Sequence, residues 1–415
     1  MLHRSVFAAV CILVVSTLNV GAGGPQWSQW RGPDRTGVSQ ESGLLREWPE
    51  GGPQLVWLNR TAGIGYSSFA VVDGRLFTMG AEGEKEFLMA VNTENGQELW
   101  RAEIGELLTN NWGDGPRGTP TIDGQLVYAL SGQGNLVCAN VEDGHIVWQH
   151  AMSEYGGGVP SWGYTESVLV DGDQVVCTPG GEQGAIIALD KATGDTIWQS
   201  QQFTDGAQYA SIITADHNGQ RQYIQLTMEH VVGIAAEDGA LLWQSDFPGQ
   251  TAVVPTPIYQ DGQVYVSSGY GAGCKLVRIR QNNDVTEIYA NKVMKNHHGG
   301  VILFDGHLYG YSDGPGWVCQ DFATGDAVWT EKQKFGKGAL TIAGGMLYCI
   351  DESEGNVVLA EASPDGWKEQ SRFVLEPQSK LRKPAGRIWA HPVVAGGKLY
   401  LRDQELLFCF DVSDR

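Results

Sequence analysis

Along most of the chain, apolar and polar residues alternate in short runs, and each run ends on Gly, Asp or Asn. A period of two is the mark of a strand with one buried face. The clearest stretch is Ser167 to Gln199, SVLVDGDQVVCTPGGEQGAIIALDKATGDTIWQ. It predicts four short strands: Ser167 to Val170, Gln174 to Thr178, Ala185 to Asp190, and a fourth ending on Trp198. Asp171-Gly172 supplies the positive-φ residue of a tight hairpin, Pro179-Gly180-Gly181 a looser loop, and Ala192-Thr193-Gly194 the last turn.

The same pattern recurs. Its opening turn is found at Asp73-Gly74, Asp123-Gly124, Asp171-Gly172, Asn218-Gly219, Asp261-Gly262, Asp305-Gly306, Gly344-Gly345 and Gly396-Gly397. The spacing of roughly 40 to 50 residues is that of four-stranded propeller blades. A closing Trp falls at Trp100, Trp148, Trp198, Trp243, Trp329 and Trp367, while the fifth copy has Val285 to Tyr289 instead. The eighth copy stops after Leu406 to Phe410 without a fourth strand, whereas Gln54-Leu55-Val56-Trp57 reads as a fourth strand with no blade before it. Joining the two closes the ring and removes an open sheet edge. The expected fold is therefore all-β: an eight-bladed β-propeller of four-stranded antiparallel blades, closed by the N-terminal strand completing the last blade. Three segments are expected: a targeting segment at 1–22, a Trp-rich segment at 23–53 packed on the outside or across one face of the propeller, and the propeller itself at 54–415.

Ala188-Leu189-Asp190-Lys191-Ala192-Thr193-Gly194-Asp195-Thr196-Ile197-Trp198 resembles the tryptophan-docking repeat of the pyrroloquinoline-quinone (PQQ) propeller superfamily, with a second good copy ending at Trp329 and weaker ones ending at Trp148 and Trp243. The segment WSQWRGPDRTGVS is similar to the N-terminal segment of exported PQQ-like repeat proteins of planctomycete-type bacteria. The resemblance covers nearly all of the chain after the targeting segment. It implies the fold, but it does not choose a chemistry, because the same repeat serves quinoprotein dehydrogenases and the non-enzymatic lipoprotein of the outer-membrane β-barrel assembly machinery. In the repeat itself, a flat Trp buries apolar area between blades while its N–H finds a backbone acceptor, and the Gly after Thr takes a turn that a side chain would obstruct.

Other features narrow the picture. His3-Arg4, the apolar run Ser5 to Leu18 and Val20-Gly21-Ala22 fit an export signal with a small-residue cleavage site; an uncleaved anchor is the alternative, for which the run is short. No later run is apolar enough to span a membrane. With 28 Lys+Arg against 48 Asp+Glu, the surface repels nucleic acid and anionic lipid, so neither is expected as a partner. Cys138, Cys177, Cys274, Cys319, Cys349 and Cys409 lie in or beside predicted strands, which favours buried small hydrophobes over disulfides, with a Cys138–Cys177 pairing left open. A monomer is expected.

Candidate function lies where the loops depart from the repeat. Inter-blade loops and the loops joining second to third strands share one face, and sites on repeat folds sit on such loops. The ligand-binding candidates there are Tyr66, Arg117, Trp162, Tyr164, Tyr209, His297, His298, Asp313, Arg387, Trp389 and His391. Aromatic faces with Arg and His around a funnel suit a small polar or glycan ligand. Each has a structural alternative: Trp162 and Trp389 as channel plugs, Arg117 as the anchor of its own loop. Adjacent residues on an extended strand point to opposite sides, so only one of His297 and His298 is expected to face the funnel. No metal site is assigned, although His391 with Glu166 or Asp313 nearby leaves one conceivable. Glu166 is the candidate general base. Asp351 to Asn356 superficially resembles a calcium loop but lacks its spacing, and is expected to be a hairpin loop.

Two functions remain. One is an exported binding or scaffold propeller for a small polar or glycan ligand or an envelope protein partner. The other is a PQQ-dependent alcohol or sugar dehydrogenase, for which the resemblance would imply PQQ and calcium. The chain has no vicinal Cys pair, no recognisable calcium-ligand segment and no C-x-x-C-H haem site, which favours the first.

Overall fold

The computed structural model describes residues 26–414. The expected targeting segment lies outside the described residues. Eight antiparallel sheets follow one another around a ring. Blade one is Ala70–Val72, Arg75–Glu82, Lys85–Asn92 and Glu98–Glu106; blade two runs from Thr121–Asp123 to Ile146–Ala151, and blade three from Leu169–Asp171 to Thr196–Gln199. Blades four to seven begin at Ile213–His217, Ile258–Gln260, Val301–Phe304 and Gly338–Ala343. Blade eight has Val393–Ala395, Lys398–Asp403 and Leu406–Asp411, and takes its fourth strand from Gln54–Asn59, paired antiparallel to Leu406–Asp411. The ring thus closes as expected, and all eight predicted turns join first to second strands.

The blades are held together by a repeated contact. Trp57, Trp100, Trp148, Trp198 and Trp329 donate their indole N–H to Thr93, Val141, Lys191, Ala236 and Ser363, each in the next blade, at 2.8 to 3.1 Å. Tyr289 does the same through its hydroxyl, to Phe322 O at 3.0 Å, so the copy that lacks Trp keeps the contact. The turn glycines are the platforms: a Cβ at Gly96, Gly144, Gly239 or Gly325 would lie 2.5 to 2.7 Å from the preceding blade's ring. Blade five has Asn282-Asn283-Asp284 at this turn. Trp243, facing it without a glycine platform, bonds Gln222 Oε1 in its own blade instead, at 2.6 Å.

Trp367 departs from its assignment as a closing Trp. It precedes the strand Glu369–Val374, and the position opposite Leu359 is held by Ser371. Trp48 of the N-terminal segment packs there instead: its backbone N–H bonds Ser371 Oγ at 2.7 Å and its ring lies 5.4 Å from Phe373. The six cysteines after the targeting segment are free thiols, at most 2% exposed and set in strands, as small core residues.

Residues 26–41 of the N-terminal segment thread the axis, and the chain then runs outward, so that Trp48 packs at the rim against Ser371 and Phe373 of blade seven. Trp27 pairs with Val71 of blade one, and Ser28 accepts from Ile122 of blade two. Arg35 donates to Ser167 O, Val168 O and Ile212 O of blades three and four. Trp30 bonds Thr256 before blade five, Arg31 bonds Val301 O of blade six, and Gly37 accepts from Thr341 and Ile342 of blade seven. Val38–Ser39 then adds a parallel fifth strand to blade seven, and Glu41 accepts from Gly396 and Gly397 of blade eight. Contact with the first strands of all eight blades, or the residues flanking them, is available only on the ring axis. Fourth strands form the rim, where Leu99, Val147, Ile197 and Val328 are more than two-fifths exposed. Among the described residues no helix is long and apolar enough to cross a membrane.

Candidate functional site

Because second strands return toward the face from which first strands start, eight inter-blade loops and the loops joining second to third strands converge at one mouth. They enclose a cavity of ≈ 400 Å³ whose lining includes the axial segment's Trp30 and Arg31. Ten of the eleven ligand candidates line it: Tyr66, Arg117, Trp162, Tyr209, His297, His298, Asp313, Arg387, Trp389 and His391. Trp112, Tyr270, Lys337 and Glu352 are also in the wall.

One side of the cavity is an aromatic stack. Trp389 lies between Tyr66, at 5.0 Å between ring centres, and His298, at 4.7 Å. The His297 and His298 rings stack at 3.6 Å, and Tyr270 meets His297 edge-on at 4.5 Å. Both histidines therefore face the cavity. The expectation that only one could do so assumed an extended strand, whereas residues 292–300 are an irregular loop. Burial pushes both imidazoles down to about 3, helped by each other's proximity at His297 and by Lys337 at both; His391 falls to about 4, mainly through burial. All three rings are neutral at neutral pH.

The charged groups are unevenly partnered. Lys337 Nζ bonds Asp313 Oδ1 at 2.8 Å and lies 3.2 Å from His297 Nδ1. Glu352 accepts from Trp389 Nε1 at 3.1 Å, and burial raises its carboxyl while Lys337 pulls it back. Arg117 lies over the Tyr66 ring at 4.9 Å and donates to Gly113 O at 2.6 Å, the loop-anchoring bond that was its structural alternative. Its Nε remains buried without an acceptor, as do Arg31 Nε, His297 Nε2 and His298 Nδ1. Buried polar atoms left unpaired are costly, so this set calls for partners from outside the chain, solvent or ligand. Lys383 bonds Asp114 at 2.7 Å and ties the loop 375–392 to the loop 107–120, fixing the rim that carries Trp112 and Arg387.

Two candidates leave the site. Tyr164 is 1% exposed in the core between blades two and three, its hydroxyl bonded to Pro179 O at 2.9 Å. Glu166, proposed as general base, is 2% exposed and does not line the cavity; it accepts from Thr178 N at 2.7 Å and from Gln225 Nε2 at 3.4 Å. Burial pushes its carboxyl up to about 7, against the Thr178 bond and the charge of Arg35. Both follow the exposed-looking Trp162-Gly163 into the first strand of blade three, where the chain has already turned inward. Lys337 belongs to no motif, and Glu352 lies in the calcium-loop-like stretch read as a hairpin loop; the signal for both is positional, since Lys337 ends an inter-blade loop and Glu352 opens the loop after a second strand. Asp351 to Asn356 is a hairpin loop, with Asp351 accepting backbone bonds from Ser353 to Asn356. A separate trio, Asp205, Glu229 and His230, gathers its ligand-type atoms within 4.8 Å of one another away from this cavity.

The lining does not suit calcium, which takes six to eight oxygen ligands. It offers the carboxylates of Asp313 and Glu352, one already paired with Lys337, amid three arginines.

The chain matches the family described as Outer membrane protein assembly factor BamB over residues 14–148 and 84–331. The curated BamB of Burkholderia pseudomallei (strain K96243) is 25% identical over 189 residues, 43% of this chain and 45% of that protein, so the match spans less than half of the relative. Among solved structures, BamB from Moraxella catarrhalis superposes with a TM-score of 0.58 at 15% identity, covering 81% of this chain and 94% of that one. The quinohemoprotein alcohol dehydrogenase from Comamonas testosteroni gives 0.62 at 11% identity, covering 94% and 81%. Likeness at such identity speaks for the fold alone. With a family match over most of its length and eight blades joined by docked tryptophans, the chain belongs to the BamB family of PQQ-like repeat propellers.

Proposed function

We propose that this protein is an exported, non-enzymatic binding propeller whose funnel holds a small polar, ring-bearing ligand of the glycan class. The observation that carries this reading is the ≈ 400 Å³ cavity, closed at its base by Trp30 and Arg31, walled by aromatic rings and supplied with buried donors that have no acceptor. A pocket with apolar faces and a few converging polar groups is the usual form of a small-molecule site. The family match also motivates an envelope protein partner, but a cavity of ≈ 400 Å³ is of the size that takes a small ligand.

The dehydrogenase alternative finds less support. PQQ when bound would supply the quinone that accepts substrate electrons, and Arg117, Arg387 and Lys337 could meet its carboxylates. The calcium expected beside it has no adequate oxygen set, and Glu166, the candidate base, lies off the cavity. Titrating the purified protein with PQQ, with and without calcium, and with neutral sugars, while following tryptophan fluorescence, tests both. Quenching by a sugar that Trp162→Ala abolishes supports the binding reading. Tight, calcium-dependent binding of PQQ weakened in Arg117→Gln would overturn it in favour of the dehydrogenase.

A further inference from the structure

Charge in the funnel runs against the charge of the chain. The whole sequence carries a formal −20, yet the cavity presents Arg31, Arg117, Arg387 and Lys337 against only Asp313 and Glu352. Among the described residues, none of the three arginines has a carboxylate within ion-pair distance, although acidic groups are in large excess; the buried Arg35 and Arg402 also lack one, but their guanidinium groups are taken up by carbonyls of packed strands and loops. Arg387 spends its donors on Pro384 O and Gly386 O, and Arg31 and Arg117 each keep a buried Nε with no acceptor. A guanidinium is always charged and its fork matches carboxylate, sulfate or phosphate geometry. Leaving the buried Nε atoms of Arg31 and Arg117 unsatisfied, with the half-buried Arg387 beside them, is unfavourable unless an acceptor completes them, and an anion does so best.

Around these cations the walls are flat. Trp112 is 48% exposed at the rim, and Trp162 meets Tyr209 edge-on at 5.8 Å, leaving ring faces open to the cavity. From this juxtaposition we infer that the funnel selects an acidic sugar: a saccharide ring stacked on the rim tryptophans, with its carboxylate or sulfate directed to Arg117 and its neighbouring cations. This rests on the ligand-binding reading above and specifies its ligand. Arg31 is delivered by the axial segment, so the anion subsite is complete only with that segment threaded through the ring. The neutral histidines beside it add unpaired ring nitrogens without adding charge, and so can serve sugar hydroxyls.

Calorimetric titration of the full protein with glucuronate, glucose 6-sulfate and uncharged glucose, at low and at high salt, tests the inference. The acidic sugars should bind at least about tenfold tighter than glucose, as expected for one charge-assisted hydrogen bond set. Raising the salt should narrow that gap, and which acidic sugar binds tighter identifies the anion. Arg117→Gln should remove most of the advantage of the acidic sugars over glucose, lowering their affinity by more than that of glucose. Should Arg117→Gln fail to fold, Arg387→Gln and Lys337→Gln, neither of which has a buried atom without a partner, should each remove part of the same gap. Equal binding of all three sugars, insensitive to salt and to these substitutions, would overturn acid selectivity and leave the ligand-binding reading intact. Absence of binding by all three would overturn both.

Discussion

Replacing Trp198 by alanine should loosen the ring between blades three and four, and the contact can be separated into parts. The ring is 8% exposed, stacks on Tyr223 with centres 6.1 Å apart, covers Gly239, and donates to Ala236 O at 3.1 Å. Removing a buried Trp side chain costs about 3–5 kcal/mol. Trp198→Phe keeps most of the stacked area and loses the N–H bond, a cost of about 1 kcal/mol. Gly239→Ala attacks the same contact from the other blade: φ is +75° and the new Cβ would lie 2.5 Å from Trp198 Cε3. A left-handed conformation costs about 1–2 kcal/mol and overpacking about 1–3 kcal/mol, so roughly 2–5 kcal/mol in all. Urea unfolding followed by circular dichroism gives the totals, and hydrogen exchange in the strands of blades three and four shows whether the loss is local. Trp112→Ala, with an exposed ring, is the reference. If Trp198→Ala fell within about 0.5 kcal/mol of it, the docked tryptophans would not be what joins the blades.

Trp162→Ala should abolish sugar-induced quenching and Arg387→Ala should weaken it, both with the urea midpoint unchanged; a matching shift in midpoint would erase the division between site and scaffold. Glu166 predicts a pH effect of definite sign. Its folded carboxyl sits at about 7 against an ordinary 4.5, so the native state holds the proton more tightly and loses stability as pH rises from about 4.5 to 7, by about 3 kcal/mol. The depressed histidines act oppositely, with stability present above 6.5 and lost as pH falls toward 3 or 4. The difference between wild type and Glu166→Gln isolates the carboxyl: the variant should gain relative stability across that window, and a constant difference would refute the buried carboxyl's role. The six thiols at Cys138, Cys177, Cys274, Cys319, Cys349 and Cys409 should resist dithiobis(nitrobenzoate) in the native protein and all react in urea; rapid native labelling of any would contradict its burial.

The sequence alone determined the blades, because everything that specifies them is local. Period-two alternation fixes which side chains face the next blade, Asp-Gly turns fix the hairpins, and the orphan strand Gln54–Asn59 with its Trp57 announces ring closure. The docking positions were equally legible except where a long-range partner substitutes, as Trp48 does opposite Ser371. Much of the funnel was visible too, since loop residues that break the repeat are released from its packing. What only the tertiary structure decided is where the non-repeating segment goes and how deep each loop residue lies. Trp30, Arg31 and Arg35 are anchored to the blades by bonds to residues more than a hundred positions away, so no local pattern places them on the axis. Tyr164 and Glu166 fell in the core rather than the funnel for a related reason: one or two residues along an inward-turning chain separate a wet wall from a dry one, and that depth is set by the neighbouring blades.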